Sequence, residues 1–571
     1  MSVALPDAPV SIARPQFRLD LLRPAFYALA AVLVVLVVLP LGWLGYYSLV
    51  DKDGQFTLAN FITLVSDNTL RKPFGVAVGM ALAVGALSCA VATPLAWLVA
   101  RTDMPGRRAV RALVMASFVT PPFLGAIAWE ILAAPNSGLL NVFWRQLTGA
   151  EPYDALVNIY SFAGLVFAIS CYTFPYVFTL VANGLDRVPS DLEDASSILG
   201  ARGWTTLRTI TLPLVLPAML AGSLIAVLQA LTMFGSPAIL ALPAGFHVIT
   251  TKIWSLFQYP PKPGLAAAAS LPLLLITVLL LQGKAWVLGR KGYTVLGGKS
   301  GEPRVTRLKG WMPLALAFAF LVLSLTVLLP YAALARTALT KSGEAGLTLH
   351  HFHFVFFEFS ATRLAMWNTM LLGFSTATIG TGLALLAAYM VARKPVRGAP
   401  WLGMLATAPV AIPGIVLGVG LFLTYSHPQL MLYGTLWILL IAFLTIEMPA
   451  GYQQMAAAFH GIHPELEEAS RILGASRLKT LRLITAPLLR TSVVATWCFV
   501  FIGTIRELSA TILLTTANTK LVSVIIYDLN ESGDMGAISV LGLMLLAVSF
   551  AVVLLATRLP LLGGSRLPTL R

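Results

Sequence analysis

Long apolar runs separated by short basic loops set the plan of this chain. Crossing a bilayer core as a helix takes about 20 apolar residues. Runs of that length fall at about 25–50, 74–100, 112–134, 156–182, 213–241 and 264–289. A second set follows at about 311–335, 364–392, 400–424, 434–456, 487–515 and 535–557. Between the sets lies a basic stretch with Lys284, Arg290, Lys291, Lys299, Arg304, Arg307 and Lys309. The pattern predicts an all-α polytopic membrane protein of about twelve transmembrane helices, six per half. The expected division is a tail at 1–24, a first transmembrane domain at 25–289, a basic linker at 290–310 and a second domain at 311–571. The first run is long and lacks a clear small-residue cleavage site, so it reads as a span rather than a removed signal peptide.

Two polar islands interrupt this pattern, and they match each other. DASSILGARGWTTLRTITLP runs from Asp194 to Pro213, and EASRILGASRLKTLRLITAP from Glu468 to Pro487. A constant offset of 274 relates Asp194 to Glu468, Gly200 to Gly474, Ile210 to Ile484 and Pro213 to Pro487, so the chain is an internal repeat. Each island reads as two short helices around a turn. Ser190 and Glu193 have capping-box spacing, while Pro464, Glu465, Glu467 and Glu468 suit a helix start. Gly200 and Gly474 stand where a left-handed residue ends the first short helix. Leu192, Ala195, Ile198 and Leu199 share one helical face, as do Leu466, Ala469, Ile472 and Leu473. A short helix with an apolar face between spans suits a groove on another protein.

The repeat extends outward. Ala96-Trp97-Leu98-Val99-Ala100-Arg101 echoes Ala388-Tyr389-Met390-Val391-Ala392-Arg393, here with an offset of 292. The first half therefore carries extra residues before its island, and Ala134 to Asp154 is the expected place, longer than its counterpart near His427.

Composition narrows the class. With 571 residues, 58% hydrophobic and 11% charged, the chain is too apolar for a soluble protein of this length. The net charge of +15 comes from residues in short loops, which is a topology signal and not a nucleic-acid surface. With a cytoplasmic N-terminus, every second loop is cytoplasmic, and those loops and tails hold roughly three-quarters of the Lys and Arg. Both islands and the C-terminus then face the cytoplasm. Cys89, Cys171 and Cys498 lie in apolar runs and form no disulfide or zinc pattern. No G-x-x-x-x-G-K-[ST] loop is present to cradle ATP phosphates, and no nucleophile-and-base or metalloprotease pattern supports an enzyme.

The islands resemble the EAA loop of binding-protein-dependent ABC importer permeases, written E-A-A, three residues, G, nine residues, I-x-L-P. Asp194 replaces the first Glu, Ser196 and Ser470 replace the second Ala, and Ala486 replaces the Leu before Pro487. The resemblance implies a type I ABC importer permease fold with both halves fused. It also implies a coupling helix in each island, held in a cleft of a cytoplasmic ATPase. The implied coupling residues are Leu192, Asp194, Ala195, Ser196, Leu199 and Gly200, then Leu466, Glu468, Ala469, Ser470, Leu473 and Gly474. The implied partners are two copies of that ATPase, which bind ATP and Mg, and an external substrate-binding protein. No cofactor is expected in this chain, and the implied location is the bacterial inner membrane.

Ionisable residues within spans are costly and invite a functional reading: Glu130, Glu447, Arg506 and Glu507. The segment RELSATILL around Glu507 and its counterpart MFGSPAILA from Met233 resemble paired segments of ferric-iron-type permeases; thiamine, 2-aminoethylphosphonate and polyamine permeases share parts of the pattern. The expected lining of a central path is Phe234, Gly235, Ser236, Pro237, Glu447, Arg506, Glu507, Leu508 and Ser509. Arg506 and Glu507 also read as a self-compensating pair, and Glu447 as a partner for backbone freed by Pro449. His350, His351 and His353 invite a metal reading, but ferric iron favours oxygen ligands and the first half has no matching His. The resulting expectation is an importer permease, for ferric iron or another small solute. The rival is an ion-gradient-driven secondary transporter, which requires buried carboxylates near mid-membrane and broken helices at matching positions.

Overall fold

The structure is a computed structural model that describes residues 22–51, 53–289, 305–341, 346–394 and 396–562. The tail before residue 22, linker residues 290–304 and the C-terminal residues with Arg566 and Arg571 lie outside that set. Among the described residues, ten helices are long and apolar enough to cross a membrane, and two bent pairs raise the number to as many as twelve.

In the first half the spans are α1 (Leu22–Ser48), α2 (Asn68–Arg101), the bent pair α3 (Arg107–Val119) and α4 (Pro122–Ala133), and α5 (Phe162–Asp186). The island helix α6 (Ser190–Ile198) follows, then α7 (Leu212–Thr232) and α8 (Pro263–Gly289). The second half repeats this with α9 (Lys309–Leu339), α10 (Ser360–Arg393), the bent pair α11 (Ala399–Ala411) and α12 (Gly414–Tyr425), and α13 (Leu436–His460). It closes with α14 (Pro464–Ile472), α15 (Ala486–Ile505) and α16 (Met535–Leu562).

Proline explains where these helices deviate. Its ring clashes with the carbonyl four residues back and it has no N–H to donate. Pro213, Pro487 and Pro330 each follow a π-helical turn, at Leu207–Thr211, Leu481–Thr485 and Ser324–Leu328. The wider turn moves the offending carbonyl aside, so the helix continues. At Pro121-Pro122 and at Pro413 no such turn forms, and the chain bends by 100° and 107°. The runs expected as straight spans at 112–134 and 400–424 are therefore broken helices. Likewise, the spans expected at 213–241 and 487–515 end earlier than expected. Their helices stop at Thr232 and Ile505, and short helices Gly235–Leu240 and Thr511–Leu514 follow.

The first helix of each half packs on its own half's last helix, α1 on α8 and α9 on α16, and also reaches across to the other half. The α1 helix packs on α11, α12 and α13 of the other half, and α9 packs on α2, α3 and α4. Thr445 Oγ1 donates to the Leu36 carbonyl at 3.3 Å, and Thr120 and Tyr331 share a hydrogen bond of 2.6 Å. One continuous apolar core consequently spans both halves. Between Ala134 and Asp154 the first half inserts a helix, Leu139–Thr148, where the second half has only a short turn between Tyr425 and Leu436.

Candidate functional site

The islands form two like hairpins. The α6 helix ends in a Schellman turn: Gly200 N donates to the Ser197 carbonyl (2.9 Å) and Ala201 N to the Ser196 carbonyl (3.0 Å). The α14 helix ends the same way, Gly474 N on Arg471 (3.0 Å) and Ala475 N on Ser470 (3.1 Å). The turn glycines have φ of +82° and +85°, with open space where a Cβ would stand, so backbone conformation alone selects glycine. Ser196 shares a hydrogen bond with Thr206 (2.8 Å), and Ser470 with Thr480 (2.9 Å). The two serines that replace the family's alanine thus lace the limbs of each hairpin together.

Each hairpin is also tied to the membrane domain by a buried charge. In the second half, Arg393 at the end of α10 contacts Glu467 Oε1 through Nε and Nη2, both at 3.1 Å. Thr485, at the root of the next span, donates to the same oxygen at 3.0 Å. In the first half Thr211 donates to Glu193 at 2.8 Å, while Arg101 lies 3.7 Å from Glu193 and donates to the Leu185 and Val188 carbonyls, each at 2.6 Å. One carboxylate therefore joins the hairpin, the preceding long span and the following span. Ser190 is the first helical residue after Pro189, and Glu193 is turned inward. Sequence reasoning missed both ties. The available signal was an acid at both 193 and 467, an Arg closing each long span, and a Thr at both 211 and 485.

The opposite face of each hairpin is apolar and open. Leu199 is 87% exposed and Leu473 88%, with Ile198, Ile472, Leu192 and Leu466 beside them. Asp194, Ala195, Glu468 and Ala469 are exposed on the same helices. Solvated leucine and isoleucine at a polar loop tip mark a contact surface.

A central cavity of about 550 Å3 lies between the halves. Both helix breaks border it, at Pro122-Phe123 and at Ile412-Pro413-Gly414. Of the residues expected to line a path, Gly235, Glu447, Arg506, Glu507, Leu508 and Ser509 are on its wall. Phe234, Ser236 and Pro237 are not. All three are buried behind it, with Phe234 against Trp254 and Tyr527, and Ser236 donating to the Pro122 carbonyl at 2.9 Å. Gly235 packs closely: a Cβ there would stand 2.7 Å from Phe123 and 3.1 Å from Leu508 of the other half.

The charged residues have separate duties. Arg506 and Glu507 form no ion pair within 4 Å. Arg506 crosses to the first half, donating to the Phe118 carbonyl (3.0 Å) over the Phe118 ring, and Glu507 accepts from Ala510 N (3.0 Å). Glu130 stands apart from the cavity, accepting from Tyr160 (2.7 Å) and from Asn530 of the other half (2.8 Å). Glu447 is on the cavity wall. In the histidine cluster the His350 and His351 rings meet edge-on at 5.4 Å, while His353 faces Glu358 at 2.8 Å and His351 faces the Thr340 carbonyl at 3.1 Å. No group of three metal-ligating side chains forms among the described residues.

Comparison with known proteins decides the family. The model for the inner membrane component of binding-protein-dependent transport systems matches this chain twice, over residues 92–293 and 380–560. The chain belongs to this family. As a binding-protein-dependent permease it carries two copies of the family unit in one polypeptide, which accounts for the repeat. It is similar to the ferric transport system permease protein FbpB of Actinobacillus pleuropneumoniae, 27% identical over 79% of this chain and 65% of that protein. A Fe(3+)-transport system permease protein, FbpB 2 of Haemophilus influenzae, is 23% identical over 92% of this chain and 97% of its own length. The putative 2-aminoethylphosphonate transport system permease protein PhnV of Salmonella paratyphi A is 26% identical over 44% of this chain and 96% of its own.

Proposed function

We propose that this permease forms the membrane path of an ATP-driven importer for ferric iron. The observation that carries the reading is the pair of hairpins, each with an exposed Ile-Leu tip and a buried carboxylate bolted to two spans. In this reading two copies of a cytoplasmic ATPase, which bind ATP and Mg, take the tips into clefts. Closure of the ATPase pair draws the hairpins together. Rigid ties pass that displacement to α2 and α10, the halves rock, and the central cavity opens to alternate sides. A binding protein outside the inner membrane supplies the cargo, both termini face the cytoplasm, and ATP hydrolysis belongs to the partner.

The secondary-transporter rival is weaker. The helix breaks do fall at matching positions, since Pro121 and Pro413 are 292 apart as are Arg101 and Arg393. The cavity carboxylates do not match, because Thr173 and Met233 stand at the counterparts of Glu447 and Glu507.

The test is uptake of radiolabelled ferric citrate by cells with and without this gene, alongside labelled 2-aminoethylphosphonate. Loss of iron uptake on deletion and recovery on complementation support the reading. Selective loss of aminoethylphosphonate uptake shifts the permease to that solute, and ATP-independent uptake overturns the ATP-driven mechanism.

A further inference from the structure

The two halves wall the cavity with different chemistry, although their residues correspond at a constant offset of 274. In the first half Gln229 of α7 donates to the Tyr176 hydroxyl of α5 at 2.6 Å, and Thr173 is satisfied by the Ile169 carbonyl and Ser88. At the offset of 274 the second half replaces Gln229 by Gly503, Tyr176 by Ala450 and Thr173 by Glu447. Bulk has been removed from α15 and a carboxylate added to α13.

The fit between these changes is close. A Cβ on Gly503 would stand 2.2 Å from Glu447 Oε1 and 2.6 Å from Oε2, so glycine is what leaves room for this carboxylate. The other charges at the cavity are already engaged. Arg506 is held by the Phe118 carbonyl and ring, Phe118 packs edge-on against Tyr176 at 5.1 Å, and Tyr176 is held by Gln229. Glu507 caps the turn at Ala510. Glu447, 9% exposed, receives no hydrogen bond from any described residue. An uncompensated carboxylate in a membrane interior is expensive, and it is tolerated where it faces a cavity and meets a charge there.

We propose that Glu447, seated against Gly503, is the contact through which the cavity takes a positively charged cargo in transit. The inference rests on the ferric-importer reading and names the residue that meets the cargo. One carboxylate free of hydrogen bonds, with Arg506 nearby and Glu507 already engaged at Ala510, gives a weak and transient seat, which transport requires.

The test measures uptake of radiolabelled ferric citrate in cells that express the full chain with its ATPase and binding protein. Membrane abundance is followed in parallel. Glu447→Gln keeps the size of the side chain and removes its charge, and uptake is expected to fall about tenfold, as for loss of one charge-assisted contact. Glu447→Asp is expected to recover part of it. Should Glu447→Gln fail to reach the membrane, the double variant Glu447→Thr with Gly503→Gln copies the first half's own pair into the second. It is expected to reach the membrane with the same loss. Wild-type uptake in either variant at normal abundance overturns the proposal alone. Absence of iron uptake by the wild-type chain overturns the ferric reading and this cargo with it.

Discussion

Glu193 and Glu467 are the residues through which each hairpin grips the membrane domain, and the two grips differ. Arg393 relies on Glu467 with support from one carbonyl, Ile462, whereas Arg101 is held by two carbonyls and stands back from Glu193. Removing one member of a buried pair leaves a bare charge and costs about 3 kcal/mol or more. Glu467→Ala is therefore expected to lower the thermal midpoint of the purified chain clearly, and Glu193→Ala less so. The double variant Arg393→Met with Glu467→Leu removes both charges and is expected to regain stability, since apolar replacements of buried pairs are close to neutral. Its uptake should stay low while ATP hydrolysis by the assembled complex continues, because the tie itself is gone. Restored uptake would show that the pair serves stability only. The repeated acid, Arg and Thr positions were visible along the sequence, but their pairing was not. Glu193 and Glu467 sit beside the acids of the EAA-like motif and read as helix-start residues, Glu193 at capping-box spacing from Ser190. Only three-dimensional proximity to an Arg 92 positions earlier in one half and 74 in the other reveals the pairing.

The hairpins and most spans were legible as elements because their signals are local. Apolar length marks a span, and a glycine ten residues before a shared Ile marks the turn. Gly200 and Gly474 have space for a side chain but sit at positive φ, so Gly474→Val is expected to cost about 1–2 kcal/mol of local strain. Gly474→Asn should be tolerated, since Asn adopts this region with ease. Co-purification of the ATPase with each variant separates the two outcomes. Leu199→Asp with Leu473→Asp alters exposed positions, so the chain should fold normally and lose the ATPase. Retained ATPase would move the docking surface elsewhere. The bends were not legible, because Pro330 and Pro413 look alike in sequence. One is absorbed by a π-turn and the other breaks its helix. The resemblance to ferric-iron-type permeases put Phe234, Ser236 and Pro237 on the path, whereas the short helix after Met233 turns them into the core.

At the scale of the whole molecule the two family units are woven together. The α1 helix lies on the second half, α9 on the first, and Glu130, Arg506 and Thr445 each bond across the divide. Neither half covers its own core, so a chain divided within the basic linker is expected to co-purify as two fragments when both are made. Either fragment alone should be degraded, as judged by its abundance in membranes. The repeat was visible in the sequence, but the reach of each first helix across to the other half was not, since an offset carries no information about which copy a helix packs on. The account as a whole depends on both hairpins standing on the cytoplasmic side. The most direct measurement replaces the three native cysteines, places a single Cys at Leu199 or Leu473, and labels with a maleimide that cannot cross the membrane. Both positions should label in inside-out vesicles and remain unlabelled in intact spheroplasts; labelling of either in intact spheroplasts would contradict the account.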